Sequence, residues 1–365
     1  MNSIVTFALR FAAAELILTA IQFSLRKKEI KTRLRFVLIA VKALLGIACA
    51  VIVLAGPVQL RFLQPMLFAF YAALFTDAAA DLIITIVYLI RKKDRSFTAA
   101  KIVSLILGVV FTAFGIYNMQ TVHPKYLEYT SDKLKDTHTF VFVADLHVGS
   151  AQPFSVTKKT VEEIRSLNPD FVVLGGDITD DYTTKEEMRD TFALFSAFEQ
   201  PVYYVYGNHD RQGHAQYANG LQYTEEELEK AITDSGVIIL KDKFETIAPD
   251  LLLLGREDIS EGEGRAEITS LVNPDKNAYL IVADHQQTQF KQNLAVGTDL
   301  QVSGHTHAGQ LFPLRWFYEL IGSVYGDYEA DGAHMNISAG ACGWREPLRT
   351  EARCEFEFIT LKPAK

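Results

Sequence analysis

The sequence predicts an α/β domain preceded by an all-α bundle of four transmembrane helices, on three observations. Four apolar stretches, at about residues 3–25, 36–56, 65–90 and 102–120, each come near the roughly 20 residues that cross a bilayer as helix. From Thr137 onward short apolar runs alternate with polar helical stretches. The charge also splits: residues 1–122 hold 14 Lys and Arg against 5 Asp and Glu, a charge of +9, which leaves −17 for residues 123–365 out of a total of −8. Residues 1–122 are therefore expected to form the bundle and 123–365 the soluble domain.

The first stretch is too long, and too poor in a small-residue cleavage site, for a secretory signal peptide, so it is expected to be retained. Orientation follows from the loops, because short loops rich in Lys and Arg stay in the cytoplasm. The first loop carries Arg26, Lys27, Lys28, Lys31, Arg33 and Arg35, and the third Arg91, Lys92, Lys93 and Arg95. The loop between them, around Gly56-Pro57, offers only Arg61. A multi-pass protein of the cell membrane with both ends outside is expected, its soluble domain extracytoplasmic. Within the spans stand Arg10, Glu15, Lys42, Asp77 and Asp81. They line an ion or substrate path, or they pair with one another inside the bundle; the near balance of charge favours pairing. Three cysteines are too few for a disulfide framework. Cys49 is expected to pack as a small hydrophobe, while Cys342 and Cys354 either pair or remain buried thiols.

In the soluble half, Phe140–Val143, Phe171–Leu174, Val202–Val205, Leu251–Leu254, Tyr279–Val282 and Phe356–Leu361 read as buried or half-buried strands. Val156–Leu167 and Thr184–Phe198 read as helices, stopped at Asn168-Pro169 and Gln200-Pro201. Polar clusters follow the strands. They are Asp145-Leu146-His147, Gly175-Gly176-Asp177-Ile178-Thr179-Asp180, Gly207-Asn208-His209-Asp210, Asp284-His285 and Gly304-His305-Thr306-His307, which together hold five of the nine histidines.

Groups at the carboxyl ends of strands converge on one crevice of an α/β sheet. Mixed imidazole and carboxylate ligands suit Mn, Fe and Zn better than Ca and Mg. A bridging carboxylate can hold two such ions about 3.5–4 Å apart, the spacing that clamps both oxygens of a phosphoryl displacement. Singly, each cluster is weak: a lone His285 is more often a satisfied polar side chain than a ligand. Five of them in order, each after a strand, point to a metal site.

These blocks resemble the signature of calcineurin-like metallophosphoesterases: Asp-x-His, Gly-Asp, Gly-Asn-His-Asp, His and Gly-His-x-His, over about residues 137–361. The stretch Gly304–Gln310 and Asp284–Gln286 look similar to the membrane-tethered subgroup. The resemblance implies a four-layer α-β-β-α sandwich and two divalent metal ions. It assigns Asp145, His147, Asp177 and His307 to one ion and Asp177, Asn208, His285 and His305 to the other, with Asp177 as the bridge. It implies that water activated between the ions attacks phosphorus, and that His209, not a ligand, faces the substrate as general acid or as stabiliser of its oxygens. Asp180 and Asp210 either orient these histidines or serve as turn residues. Gly175, Gly176, Gly207 and Gly304 allow tight turns beside the metals.

The chain departs from the family pattern at Gly343-Trp344-Arg345-Glu346-Pro347. Arg315, Trp316, Arg345 and Arg349 are candidates for contacting an anionic substrate, and residues 211–223 form either a substrate-shaping lid or an ordinary loop.

The expected activity is hydrolysis of phosphate mono- or diesters, on a membrane-borne, lipid-linked or envelope substrate that the tether would concentrate. The competing reading is an inactive metal-binding sensor, or a regulator of a transporting bundle; it is disfavoured because no ligand position is eroded. A nuclease is possible within the same fold, but the −17 charge and the absence of a basic aromatic groove argue against it, and no nucleic-acid partner is expected.

Overall fold

The chain divides into two units, Met1–Ile116 and Tyr117–Lys365. The computed structural model describes residues 113–364 except 216, 217, 219 and 346, together with 86, 87, 90, 106, 107, 110 and 111. The first two expected spans and all but 86, 87 and 90 of the third, with Arg10, Glu15, Lys42, Cys49, Asp77 and Asp81, thus lie outside the described residues, as do 102–105, 108, 109 and 112 of the fourth. Among the described residues no helix is long and apolar enough to cross a membrane.

In the second unit the elements run β1 (Val122–Ser131), β2 (His138–Val143), α1 (Phe154–Ser166), β3 (Phe171–Gly175), α2 (Lys185–Ala193), β4 (Val202–Val205), α3 (Glu225–Asp234), β5 (Ile238–Ile239), β6 (Lys243–Ala248) and β7 (Leu251–Gly255). They continue as β8 (Tyr279–Ala283), α4 (Phe290–Asn293), β9 (Leu300–Ser303), α5 (Leu314–Tyr318), β10 (Gly326–Ala330), β11 (Ala333–Ile337) and β12 (Cys354–Pro363). Among the described residues these strands build two six-stranded sheets, in the orders β1-β12-β2-β3-β4-β5 and β10-β11-β9-β8-β7-β6. β2, β3, β4 and β5 are parallel, as are β7, β8, β9 and β11, while β12 against β2, β6 against β7 and β10 against β11 are antiparallel.

The alternation of side chains along each strand fills the space on both faces. Phe140, Phe142, Phe171, Val173 and Val205 meet Leu251, Leu253, Ile281, Leu300 and Val302 between the two sheets. Val141, Val143, Val172 and Leu174 on the opposite face pack beneath Val161 and Ile164 of α1, Met188 and Phe192 of α2, and Leu228 and Ile232 of α3. All six predicted strands form; five are the continuous apolar runs that strands covered on both faces need, while Phe356–Leu361 of β12 alternates apolar residues with Glu357 and Thr360.

α2 and α3 start at capping boxes, Thr184 with Glu187 and Thr224 with Glu227, each threonine side chain accepting from the glutamate's backbone N–H. The helix predicted over Thr184–Phe198 passes into a tighter turn at Leu194–Ala197. The fourth layer of the predicted sandwich is thin. Leu252, Leu254, Leu280 and Val282 on the far face of the second sheet are covered mainly by the short turns Ile268–Ser270 and Leu294–Val296. Cys342 and Cys354 do not pair: both are free, buried thiols packed around Met119.

Candidate metal centre

The polar clusters sit where the parallel strands end. Asp145 and His147 follow β2, Asp177 follows β3, Asn208 and His209 follow β4, His285 follows β8, and His305 and His307 follow β9. The loops are laced together by backbone hydrogen bonds: Asp145 N–H donates to Gly176, His147 N–H to Asp177, Gly304 N–H to His285, and Cys342 N–H to Asp145. Both sheets thereby deliver side chains to one centre.

Two groups of ligand atoms result, Asp145 with His147 and His307, and Asp177 with His285 and His305. Asp177 joins them, its Oδ2 lying 3.6 Å from His147 Nε2 and 3.1 Å from His285 Nε2. Asp145 Oδ1 is 3.8 Å from Nε2 of both His147 and His307. Asp145, His147, Asp177, His285 and His307 are buried, whereas Asn208 and His305 are half-buried. Six of the seven sequence-assigned positions therefore fall in these two groups, and Asn208 follows Gly207, which packs against Asp177, in the loop after β4.

The second nitrogen of three imidazoles is already engaged. His147 Nδ1 pairs with Asp180 Oδ2 at 2.7 Å, His285 Nδ1 with the Gly175 carbonyl at 2.8 Å and His307 Nδ1 with the Cys342 carbonyl at 3.1 Å. Such partners fix ring orientation and leave Nε2 for a cation. His147 Nε2, His285 Nε2 and Asn208 Oδ1 are buried and without a hydrogen-bond partner. Buried polar atoms are seldom left this way, and here each is of a kind that binds a transition metal. The residues present fit two divalent ions.

Charge is concentrated accordingly. Burial alone would raise Asp145, yet the charges of His307, His147 and His285 hold its carboxyl down at about 2. Burial likewise opposes ionisation of Asp177, but His285 and His209 keep it well below the usual carboxylate range. Burial pushes His307 down to about 3, whereas at His147 burial is outweighed by the hydrogen bonds with Asp145 and Asp180, which raise it to about 10.

The backbone is strained at the same place. Asp145, His147, Asp177, His305 and His307 all take left-handed φ values, between 40° and 72°. For residues with a β-carbon this costs on the order of 1–3 kcal/mol each and clusters at functional sites. Gly207 meets a different limit: a β-carbon there would lie 2.2 Å from Asp177 Oδ1.

His209 is buried beside the ligands, its Nδ1 2.6 Å from Asp181 Oδ2 and its ring stacked on Trp344 at 5.4 Å between centroids. Burial lowers its basicity, but Asp177 and Asp181 outweigh this and raise it. Asp181 and Trp344 were not singled out from the sequence. Asp181 simply continues the Asp177–Asp180 run, and nothing in the spacing distinguishes which carboxylate meets which histidine. Asp180 fixes the ring of His147 through Nδ1. Asp210 instead accepts from the backbone N–H groups of Asp177, Thr179 and Gly207, pinning two loops together.

Arg349 does not face a substrate. It is fully buried, its guanidinium donating to the carbonyls of His307, Gly340, Ala339 and Arg353. Arg315 pairs with Glu319 at 2.6 Å, Trp316 is 60% exposed, and Arg345 holds Ser150 Oγ through its backbone N–H. The loop after His209 is anchored at both ends, by Gln212 Nε2 donating to the carbonyls of Asp180 and Thr183, and by Tyr223 Oη donating to that of Asp210.

Residues 138–309 match the family model described as calcineurin-like phosphoesterase. An uncharacterized metallophosphoesterase of Campylobacter jejuni is 26% identical, over 81% of this chain and 79% of its own length. The uncharacterized metallophosphoesterase YkuE of Bacillus subtilis is 24% identical over 73% of this chain and 97% of its own. A protein of Danio rerio described as a transmembrane protein with metallophosphoesterase domain is 26% identical over 72% of this chain, which spans 63% of that relative.

Proposed function

We propose that this chain is a calcineurin-like phosphoesterase that hydrolyses phosphate mono- or diesters at the crevice of Asp145, His147, Asp177, Asn208, His285, His305 and His307. The observation that carries this reading is the pair of buried imidazole nitrogens, His147 Nε2 and His285 Nε2, gathered about the Asp177 carboxylate without a satisfied hydrogen bond, with Asn208 Oδ1 also buried and lacking one. Two divalent ions held there, of which Mn, Fe and Zn suit the donor set, would supply positive charge that acidifies water and offsets the charge of a phosphoryl group.

The chain's own contributions follow from geometry. Asp180, Gly175 and Cys342 hold three imidazoles so that their Nε2 atoms converge. Asp181 occupies His209 Nδ1, so Nε2 is the atom of His209 that carries a proton toward a leaving oxygen. Trp344 limits solvent on one face of His209.

A membrane-borne substrate is the finer part of the reading. It is supported by the four apolar stretches of the sequence. The Campylobacter jejuni similarity also covers 81% of this chain, more than residues 117–365 alone can supply. The name of the Danio rerio relative points the same way.

The test is hydrolysis of bis-p-nitrophenyl phosphate and p-nitrophenyl phosphate by the metal-stripped full chain, resupplied in turn with Mn, Fe, Zn and Mg, alongside Asp177→Asn. Metal content per chain is measured in parallel. Activity and two bound ions restored by transition metals, and both lost in the variant, are expected; a folded chain that binds no metal would end the proposal.

A further inference from the structure

Between the metal-ligand turn and β10 the chain makes an excursion whose ends are tied. Thr306 Oγ1 donates to the Val324 carbonyl at 2.5 Å, and Phe312 N–H donates to Thr350 Oγ1 at 2.9 Å. The tip, α5 and the turn after it, is apolar and open: Trp316 and Phe317 are each 60% exposed, Leu320 81% and Ile321 86%. Phe312 and Tyr318 flank them, also exposed. Arg315 and Glu319 neutralise each other, so the tip presents little net charge. A contiguous exposed patch of this kind marks an interaction surface. Aromatic residues around Leu and Ile suit the boundary between water and lipid.

Its position says what covers it. At the base of the excursion, Gln310 Oε1 accepts from the backbone N–H of Trp344, the residue stacked on His209. A β-carbon placed on Gly343 would lie 2.5 Å from Met119 Cε and 2.8 Å from Gln310 Cδ, so the entry of the chain into the domain and the base of the excursion meet there. Asn118 fastens that entry by donating to the carbonyls of Arg349 and Ala352. Residues 113–119 are helical and lie within the fourth apolar stretch of the sequence, with Phe114 and Tyr117 exposed.

We propose that residues 312–321 form a membrane-inserting loop that seats the metal crevice on a bilayer, and that the substrate is a phosphate ester in the lipid headgroup plane. The second half rests on the phosphoesterase reading; insertion does not. Because residues 123–365 carry a charge of −17, insertion proceeds by apolar burial rather than attraction to anionic lipid, and zwitterionic lipid suffices.

The chain has two tryptophans, Trp316 and Trp344, so each can be watched alone. The full chain is placed in phosphatidylcholine vesicles with or without bromine on the acyl chains. In the Trp344→Phe variant, brominated lipid is expected to cut emission by at least about twofold. In the Trp316→Phe variant emission should change little. Unquenched Trp316 on vesicle-bound protein would mean that protein covers the loop, whether the N-terminal residues or a second copy, and would overturn insertion. The Leu320→Glu, Ile321→Glu double variant is expected to lower the ratio of lipid-borne to water-soluble ester hydrolysis by about tenfold. An unchanged ratio would overturn the lipid substrate. If the wild-type chain cleaves neither ester with any metal, the phosphoesterase reading fails, while the quenching result still decides insertion.

Discussion

Asp181 Oδ2 stands 2.6 Å from Nδ1 of His209, and this contact makes Nε2 the ring nitrogen that Asp181 does not engage. Asp181→Asn is expected to lower kcat for bis-p-nitrophenyl phosphate by about 10–100-fold, the range found for partners that orient functional histidines, with KM little changed. His209→Ala should cost at least as much, and the double variant no more than His209→Ala alone. Additive losses in steady-state kinetics would show that the two residues act separately.

Gly207→Ala tests the closeness of the loops. The added methyl would lie 2.2 Å from Asp177 Oδ1 and 2.4 Å from Asp177 N, both in a buried and closely tied turn. Metal content and hydrolysis are expected to fall together, with metal analysis of the purified variant as the direct readout.

Arg349 serves the site through the backbone, and its removal should appear as lost stability. Arg349→Met leaves the buried Ala339 carbonyl without a donor and removes one of two donors from the carbonyls of His307 and Gly340, which keep Gln310 N–H and Glu355 N–H, at a cost of about 1–3 kcal/mol. Arg349→Lys should recover only part of this, because an ammonium cannot span carbonyls that a planar guanidinium reaches together. Chemical unfolding midpoints measure both.

Asp250 gives the acid side of the stability profile. Burial would raise its carboxyl, but the backbone N–H groups of Lys135 and Asp136 and the ring of His138 hold it below the ordinary value. Its contribution is thus complete above the unfolded value of about 3.9 and is lost as pH falls through the lowered folded value. Asp250→Asn should be less stable near neutrality and show a flatter loss of stability below about pH 4. Parallel curves for the two proteins would mean that Asp250 contributes nothing through its charge.

The strands that carry the site were legible because burial on both faces demands unbroken apolar runs, as in Phe171–Gly175 and Tyr279–Ala283. The strands that escaped notice had other needs. β6 and β10 border the second sheet, keep one face wet and mix Lys243, Glu245, Asp327 and Glu329 among their apolar residues. β9, the strand expected before Gly304–His307, had no legible bounds: though fully buried it has only four residues, Leu300–Ser303, with Gln301 in its interior. The ligand types stood out because each follows a strand, whereas the residues that support them are scattered. Neither the pairing of Asp181 with His209 nor the stacking of Trp344 on it has a periodic or local signature, since both join loops far apart in sequence. Arg349 looked like a surface cation because charge is visible in a sequence and burial is not.

One pairing in the first sheet bears on how the domain is made. β12 lies between β1 and β2, parallel to the first from Val122↔Cys354 to Ser131↔Pro363 and antiparallel to the second. The opening strand of the domain therefore has no neighbour to bond until residues 354–363 have been synthesised. During translation β1 waits as an open edge while everything between is produced, a long-range closure of the kind that slows folding and invites stray strand pairing.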